Sequence, residues 1–191
     1  MWKGFGWFPG VKQALERLSG GRRSAIAPST VRHKLMRRES ENRLAAAETL
    51  TKAQDESDTA YLLRLLAFEL LLKLLVEVTT GFEAPKHHHF HKLFRLLPQQ
   101  TQTDLLRVTG QRIGPSALTT NHISVLKDLG RNFVTLRYPF EKYSDMTETE
   151  YRDAAVKWLT SGAPTSRGDF RYHPEELFGL TTALKQVTRS A

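Results

Sequence analysis

The run YLLRLLAFELLLKLLVEV, residues 61–78, constrains the fold more than any other stretch of this chain. It has nearly the length of a membrane span, but it carries Arg64, Glu69, Lys73 and Glu77. Four charges in a lipid-facing segment are too costly, so the run reads as a helix buried in protein. Its Leu, Phe and Val residues surround most of the axis, and a helix apolar on nearly all sides needs neighbours on nearly all sides. That requirement points to a helical bundle with this element at its centre. At 3.6 residues per turn Glu69, Lys73 and Glu77 fall in one narrow stripe while Arg64 points elsewhere. The stripe either pairs with a neighbouring helix or lines a polar site.

Other helices follow from periodicity and punctuation. From Ser29 or Thr30 as cap, VRHKLMRRESENRLAAAETLTKAQ runs without Gly or Pro. Asp58 or Thr59 caps the central helix, and Gly81 ends it. HHHFHKLFRLLP repeats Phe90, Leu93, Phe94 and Leu97 at helical spacing until Pro98. TQTDLLRVT reads as a short helix opened by Thr101 or Thr103, and GQRIGPSAL as a loop. In NHISVLKDLGRNFVTLRYPFEKY one face carries Val125, Leu126, Leu129, Phe133, Leu136 and Phe140, with Gly130 and Pro139 as weak points. TETEYRDAAVKWLTSG opens with a capping box from Thr147 to Glu150, and HPEELFGLTTALKQVT places Pro174 at a first helical position. No sustained period-2 alternation and no internal repeat is found. The expected fold is all-α, a bundle of four to five main helices. Residues 1–30 form a basic, Gly/Pro-interrupted arm with a short helix over VKQALERL, 31–145 the bundle, and 146–191 C-terminal helices packing on the same domain.

Charge is unevenly placed. Residues 1–43 hold ten Lys/Arg against three Asp/Glu, net +7, of the +8 carried by all 191 residues. Such an arm, continued by Lys34, Arg37 and Arg38, suits RNA or DNA; the alternative is a solvated tail. With no cysteine in the chain, disulfides, Cys-ligated zinc and thiol nucleophiles are excluded, and a reducing cytoplasm is expected. The N-terminus lacks the apolar core and small-residue cleavage site of a signal peptide, and no membrane partner is expected.

KHHHFHKLF, residues 86–94, has four of the chain's seven histidines. On a helix His87 and His91 would be i and i+4, a spacing able to chelate a metal, yet no HExxH follows and two ligands close no site. His33, His122 or His173 would have to add a third by folding. The preferred reading is a polar helix start, with no metal and no cofactor. Phosphate loops, dinucleotide fingerprints, nucleophile elbows and calcium loops are missing. In GRNFVTLRYPFEKY, Arg131, Arg137, Tyr138 and Glu141 surround a helix, with Arg137 and Glu141 able to pair. Guanidinium groups for phosphate and an aromatic for stacking make an RNA-contacting surface, set against an ordinary surface ion pair.

The order AFELLLKLLVE, connector, HKLFRLLP, then RNFVTLRYPFE resembles the HEPN family of small prokaryotic helical proteins over residues 31–145. The pieces that carry it are Phe68, Glu69 and Lys73; His91, Leu93 and Leu96; and Arg131-Asn132. The resemblance implies a four- to five-helix bundle, a symmetric homodimer, and RNA or nucleotide binding through Arg131, Asn132, Arg137 and Tyr138, with Glu69, Lys73 and Glu141 in support. Active relatives are similar to metal-independent ribonucleases, in which a histidine follows the arginine by four to six residues. Here those places hold Leu136, Arg137 and Tyr138. A guanidinium stays protonated and cannot act as base. A non-catalytic or weakly catalytic RNA-binding protein is therefore expected. The alternatives are a ribonuclease, a possible toxin with an antitoxin partner, in which Arg131 stabilises the transition state and His91 or His87 moves the proton, and a protein-interaction module.

Overall fold

The computed structural model describes residues 31–55, 57–162 and 170–190. The arm, its short helix and the proposed caps Ser29 and Thr30 lie outside the described residues. The fold is all-α: α1 Val31–Lys52, α2 Thr59–Thr80, α3 Phe90–Arg95, α4 Gln99–Ile113, α5 Ala117–Thr135, a 3-10 turn Pro139–Tyr143, α6 Glu148–Thr160 and α7 Pro174–Ser190. No helix among the described residues is long and apolar enough to cross a membrane.

The central helix behaves as its sequence demands. α1, α3, α5 and α7 all pack on α2, and Leu65, Phe68, Leu71, Leu72, Leu75 and Val76 are buried in the core. Gly81 closes α2 in the left-handed conformation at φ 71°, returning its N–H to Glu77 O. Of the charged stripe, Glu77 turns to α1: Arg32 Nη2 donates to it at 2.9 Å, His33 Nε2 lies 3.2 Å away, and Ala84 N–H donates at 3.1 Å. Glu69 pairs with Lys73 one turn on and with His88.

Several boundaries differ from the sequence reading. α4 starts after Pro98, earlier than Thr101, and runs through Gly110 to Ile113, because packing against α7 holds this turn. Gly179 of α7 provides the space: a Cβ there would sit 2.8 Å from methyl groups of both Thr109 and Ile113. Ser116 then caps α5 by accepting from Leu118 N–H, so most of the expected loop is helical. α5 stops at Thr135, short of Tyr143, and Phe140 is 68% exposed instead of joining Val125, Leu126, Leu129, Phe133 and Leu136 in the interior. The restriction that Pro139 imposes on Tyr138 explains the stop.

The C-terminal elements divide. α7 buries Leu177, Leu180, Ala183 and Leu184 against α2 and α4. α6 forms the expected capping box between Thr147 and Glu150 but buries none of its residues, so it does not share in the core.

Candidate nucleic-acid interface

Arg131 leaves α5 towards solvent, and three residues earlier on the same helix Asp128 is nearly buried. The segment 170–173, which leads into α7, crosses this part of α5. It brings Arg171 Nη1 to 3.9 Å and His173 Nε2 to 3.1 Å from Asp128 Oδ2, while Arg131 Nη2 donates to Oδ1 at 2.5 Å. One carboxylate thus gathers two guanidiniums and an imidazole from two distant parts of the chain. Ionised Asp128 can only accept, so Nε2 of His173 carries the proton. The other ring nitrogen, Nδ1, faces Glu176 Oε2 at 3.9 Å.

Backbone conformation at His173 is unusual. Its φ is +47°, in the left-handed region, immediately before Pro174. A non-glycine residue there costs on the order of 1 kcal/mol or more, and a residue before proline normally extends. Two interactions hold it in place: the Asp128 contact and the bond from Leu177 N–H to His173 O.

Asn132 fixes the segment from below. It is 1% exposed, so it is a positioning residue and not the nucleic-acid contact that the sequence suggested. Its amide donates to Arg171 O at 2.8 Å and to the Tyr61 hydroxyl at 3.2 Å. Tyr61 in turn donates to Tyr172 O at 2.5 Å, and the Tyr172 hydroxyl donates to Asp58 at 3.0 Å. Burial raises the Tyr61 phenol well above its ordinary range, and burial followed by Asp58 pushes Tyr172 up to about 12. Both phenols therefore keep their protons and remain donors.

The other expected site residues are dispersed. Arg137 turns back, its Nε donating to Phe133 O at 3.1 Å and its guanidinium 4.6 Å over the Phe133 ring, and does not reach forward to Glu141. Loss of helix after Thr135 removes the i, i+4 geometry that pairing needed. Tyr138 is half exposed, its ring edge-on to Phe140. Glu69 holds His88, whose ring packs on Phe133, and pairs with Lys73, so neither supports Arg131. Arg37 donates to Thr188 O near the C-terminal end of α7, roughly 20 Å along that helix from His173. Lys34 is exposed on α1, and Arg38 Nη2 lies 4.0 Å from Glu39. These α1 residues therefore stand apart from the Asp128 cluster.

The histidine run is not a helix start. α3 begins only at Phe90, so His87 and His91 have no i, i+4 relation. Side chains alternate instead. His88 turns in to Glu69, Phe90 is fully buried, and His87, His89 and His91 form a row with ring centroids 5.2 Å and 6.0 Å apart. No group of three or more His, Asp or Glu among the described residues is placed to hold a metal ion. His91 lies among Lys127, His89, Arg95 and Lys92; the imidazole that shares a carboxylate with Arg131 is His173.

Asp128, Arg171 and His173 were not marked by any motif in the sequence. The available signal was the order Arg-Tyr-His-Pro at 171–174, a charged and aromatic dipeptide placed just before a helix start, but only folding joins it to α5. No family model, curated protein or solved structure matches this chain.

Proposed function

We propose that this protein is an HEPN-like RNA- or nucleotide-binding protein that grips phosphate at the Asp128 cluster and is non-catalytic or weakly catalytic. The observation that carries the reading is the meeting of Arg131, Arg171 and His173 on one nearly buried carboxylate. Arg131 and Arg171 offset the charges of Asp128 and Glu176, and Arg131, 62% exposed at its side chain, has donors to spare for a phosphate. The strained backbone at His173 fits a segment held in place for a task. Nε2 of His173 is taken by Asp128, and Nδ1 lies 3.9 Å from Glu176 Oε2, a carboxylate standing where a ribose hydroxyl would have to approach, which favours binding over cleavage.

Binding is tested by fluorescence anisotropy with a short labelled oligouridylate. Affinity should fall steeply with salt, since phosphate contacts release counterions. Absence of binding at low ionic strength would refute the reading. The proposed homodimer, with Arg131 of both copies meeting across a polar cleft, is tested by sedimentation of wild type against Arg131→Glu.

A second reading, a metal-independent ribonuclease, is favoured by the shared carboxylate of Arg131 and His173, a cation and a proton carrier side by side. It requires His173 to turn Nδ1 away from Glu176. RNA cleavage in EDTA that disappears in both Arg131→Ala and His173→Gln would support it; cleavage surviving either change would exclude it.

A further inference from the structure

The row of His87, His89 and His91 has no part in the Asp128 cluster, yet it borders it. Lys127, which faces His91, lies one turn before Arg131 on the same side of α5, about 6 Å along the axis. Close approach of backbones fixes this arrangement. A Cβ on Gly130 would stand 3.0 Å from His88 O and 3.3 Å from Phe90 N, so glycine lets the histidine segment lie directly on α5.

The charged surroundings are one-sided. The groups facing His87 are His89, Lys73 of α2 and Lys92; those facing His91 are Lys127 of α5, His89, Arg95 and Lys92. No acid is among them, and Glu69 of α2, the nearby carboxylate, is nearly buried and already taken by Lys73 and His88. Lys86, Lys92, Arg95 and Lys127 are exposed around the row. Ordinary packing explains three rings that touch, but it does not explain why the charged groups left unpaired by acids around His87 and His91 are lysines and an arginine.

We propose that His87, His89 and His91 form a pH-responsive track for single-stranded RNA, continuous through Lys127 with the phosphate grip at Arg131. Imidazole faces stack unpaired bases, and imidazolium pairs with phosphate. Burial, then the neighbouring cations, hold His87 and His91 below the ordinary histidine range in the free protein. A phosphate strand replaces that repulsion with attraction, so binding takes up protons and strengthens as pH falls. The inference rests on the RNA-binding reading and adds a second contact surface and a regulation to it.

The test is anisotropy with labelled oligouridylate at about pH 8 and about pH 5.5, on the full chain. Wild type should bind about tenfold more tightly at the lower pH, the factor given by a one-unit rise of one imidazole pKa on binding. The triple variant His87→Gln/His89→Gln/His91→Gln should bind with a flat profile. Arg131→Ala should bind more weakly at both values while keeping the slope. An unchanged slope in the triple variant would overturn the track and place the titration elsewhere. Competition by polyglutamate equal to that by unlabelled RNA would also overturn it, in favour of an acidic protein. RNA binding that is flat with pH in wild type refutes the track alone, whereas no RNA binding at either pH refutes the underlying reading as well. Should the triple variant fail to fold by circular dichroism, His89→Gln at its exposed position must still reduce the slope.

Discussion

Asp128 and His173 stand 45 positions apart in sequence, and the carboxylate of one accepts from the imidazole of the other at 3.1 Å. This contact ties the segment before α7 to the solvent side of α5, and it places Arg171 beside Arg131. The arginine singled out by its motif thereby acquires a histidine neighbour, from the opposite direction to the one expected. His91, the substitute suggested by sequence, sits with Lys127 instead.

Arg131→Ala should weaken RNA binding uniformly across sequences and lower the slope of log affinity against log salt by about one, the signature of one lost phosphate contact. Salt titrations of wild type and variant measure this directly. An unchanged slope would remove Arg131 from the interface.

Tyr61→Phe deletes the hydroxyl that joins Asn132 to Tyr172 O. The lost hydrogen bonds should cost about 1 kcal/mol of stability by urea denaturation. Limited trypsin digestion should cut faster after Arg171 in the variant, because the segment loses one of its anchors.

Two glycines in helix interiors should respond oppositely. Gly130→Ala puts a Cβ against His88 O and Phe90 N and should destabilise by about 1–3 kcal/mol. Gly110→Ala meets nothing within 4 Å and should stabilise by about 0.5–1 kcal/mol. Chemical denaturation of the pair checks both signs against one baseline.

Glu77 is fully buried at its side chain and serves Arg32, His33 and Ala84 N–H together. Glu77→Ala should cost about 3 kcal/mol, the lower part of the range for breaking a buried pair, since Arg32 is half exposed and can reach water. A loss under about 1 kcal/mol would mean that the pairing contributes little net stability.

His87 and His91 are held below the usual 6.5 by burial and then by cations. Near and below that value the unfolded chain binds more protons than the folded one. Their contribution is therefore fully present above pH 6.5 and is lost as pH falls towards the lowered values. Thermal melts of His87→Gln/His91→Gln should show a flatter dependence of Tm on pH in this window than wild type. Parallel curves would contradict the assignment.

The sequence by itself determined the all-α fold and its central helix. An apolar surface around the whole axis of residues 61–78 can be satisfied only by surrounding helices, and this is a property of composition and period. It also determined the Gly81 stop, the Thr147 capping box and the start of α7 at Pro174, all local in origin. The tertiary structure alone decided where the histidines point and which groups meet Arg131. His87, His89 and His91 are aligned because the buried Phe90 and the Glu69-bound His88 fix a two-residue alternation that helical periodicity misread. The Asp128 cluster depends on a crossing between α5 and the segment before α7, and the separation of 45 residues leaves no periodic trace. Local preferences set elements, whereas the pairing of charges across elements follows from how those elements pack.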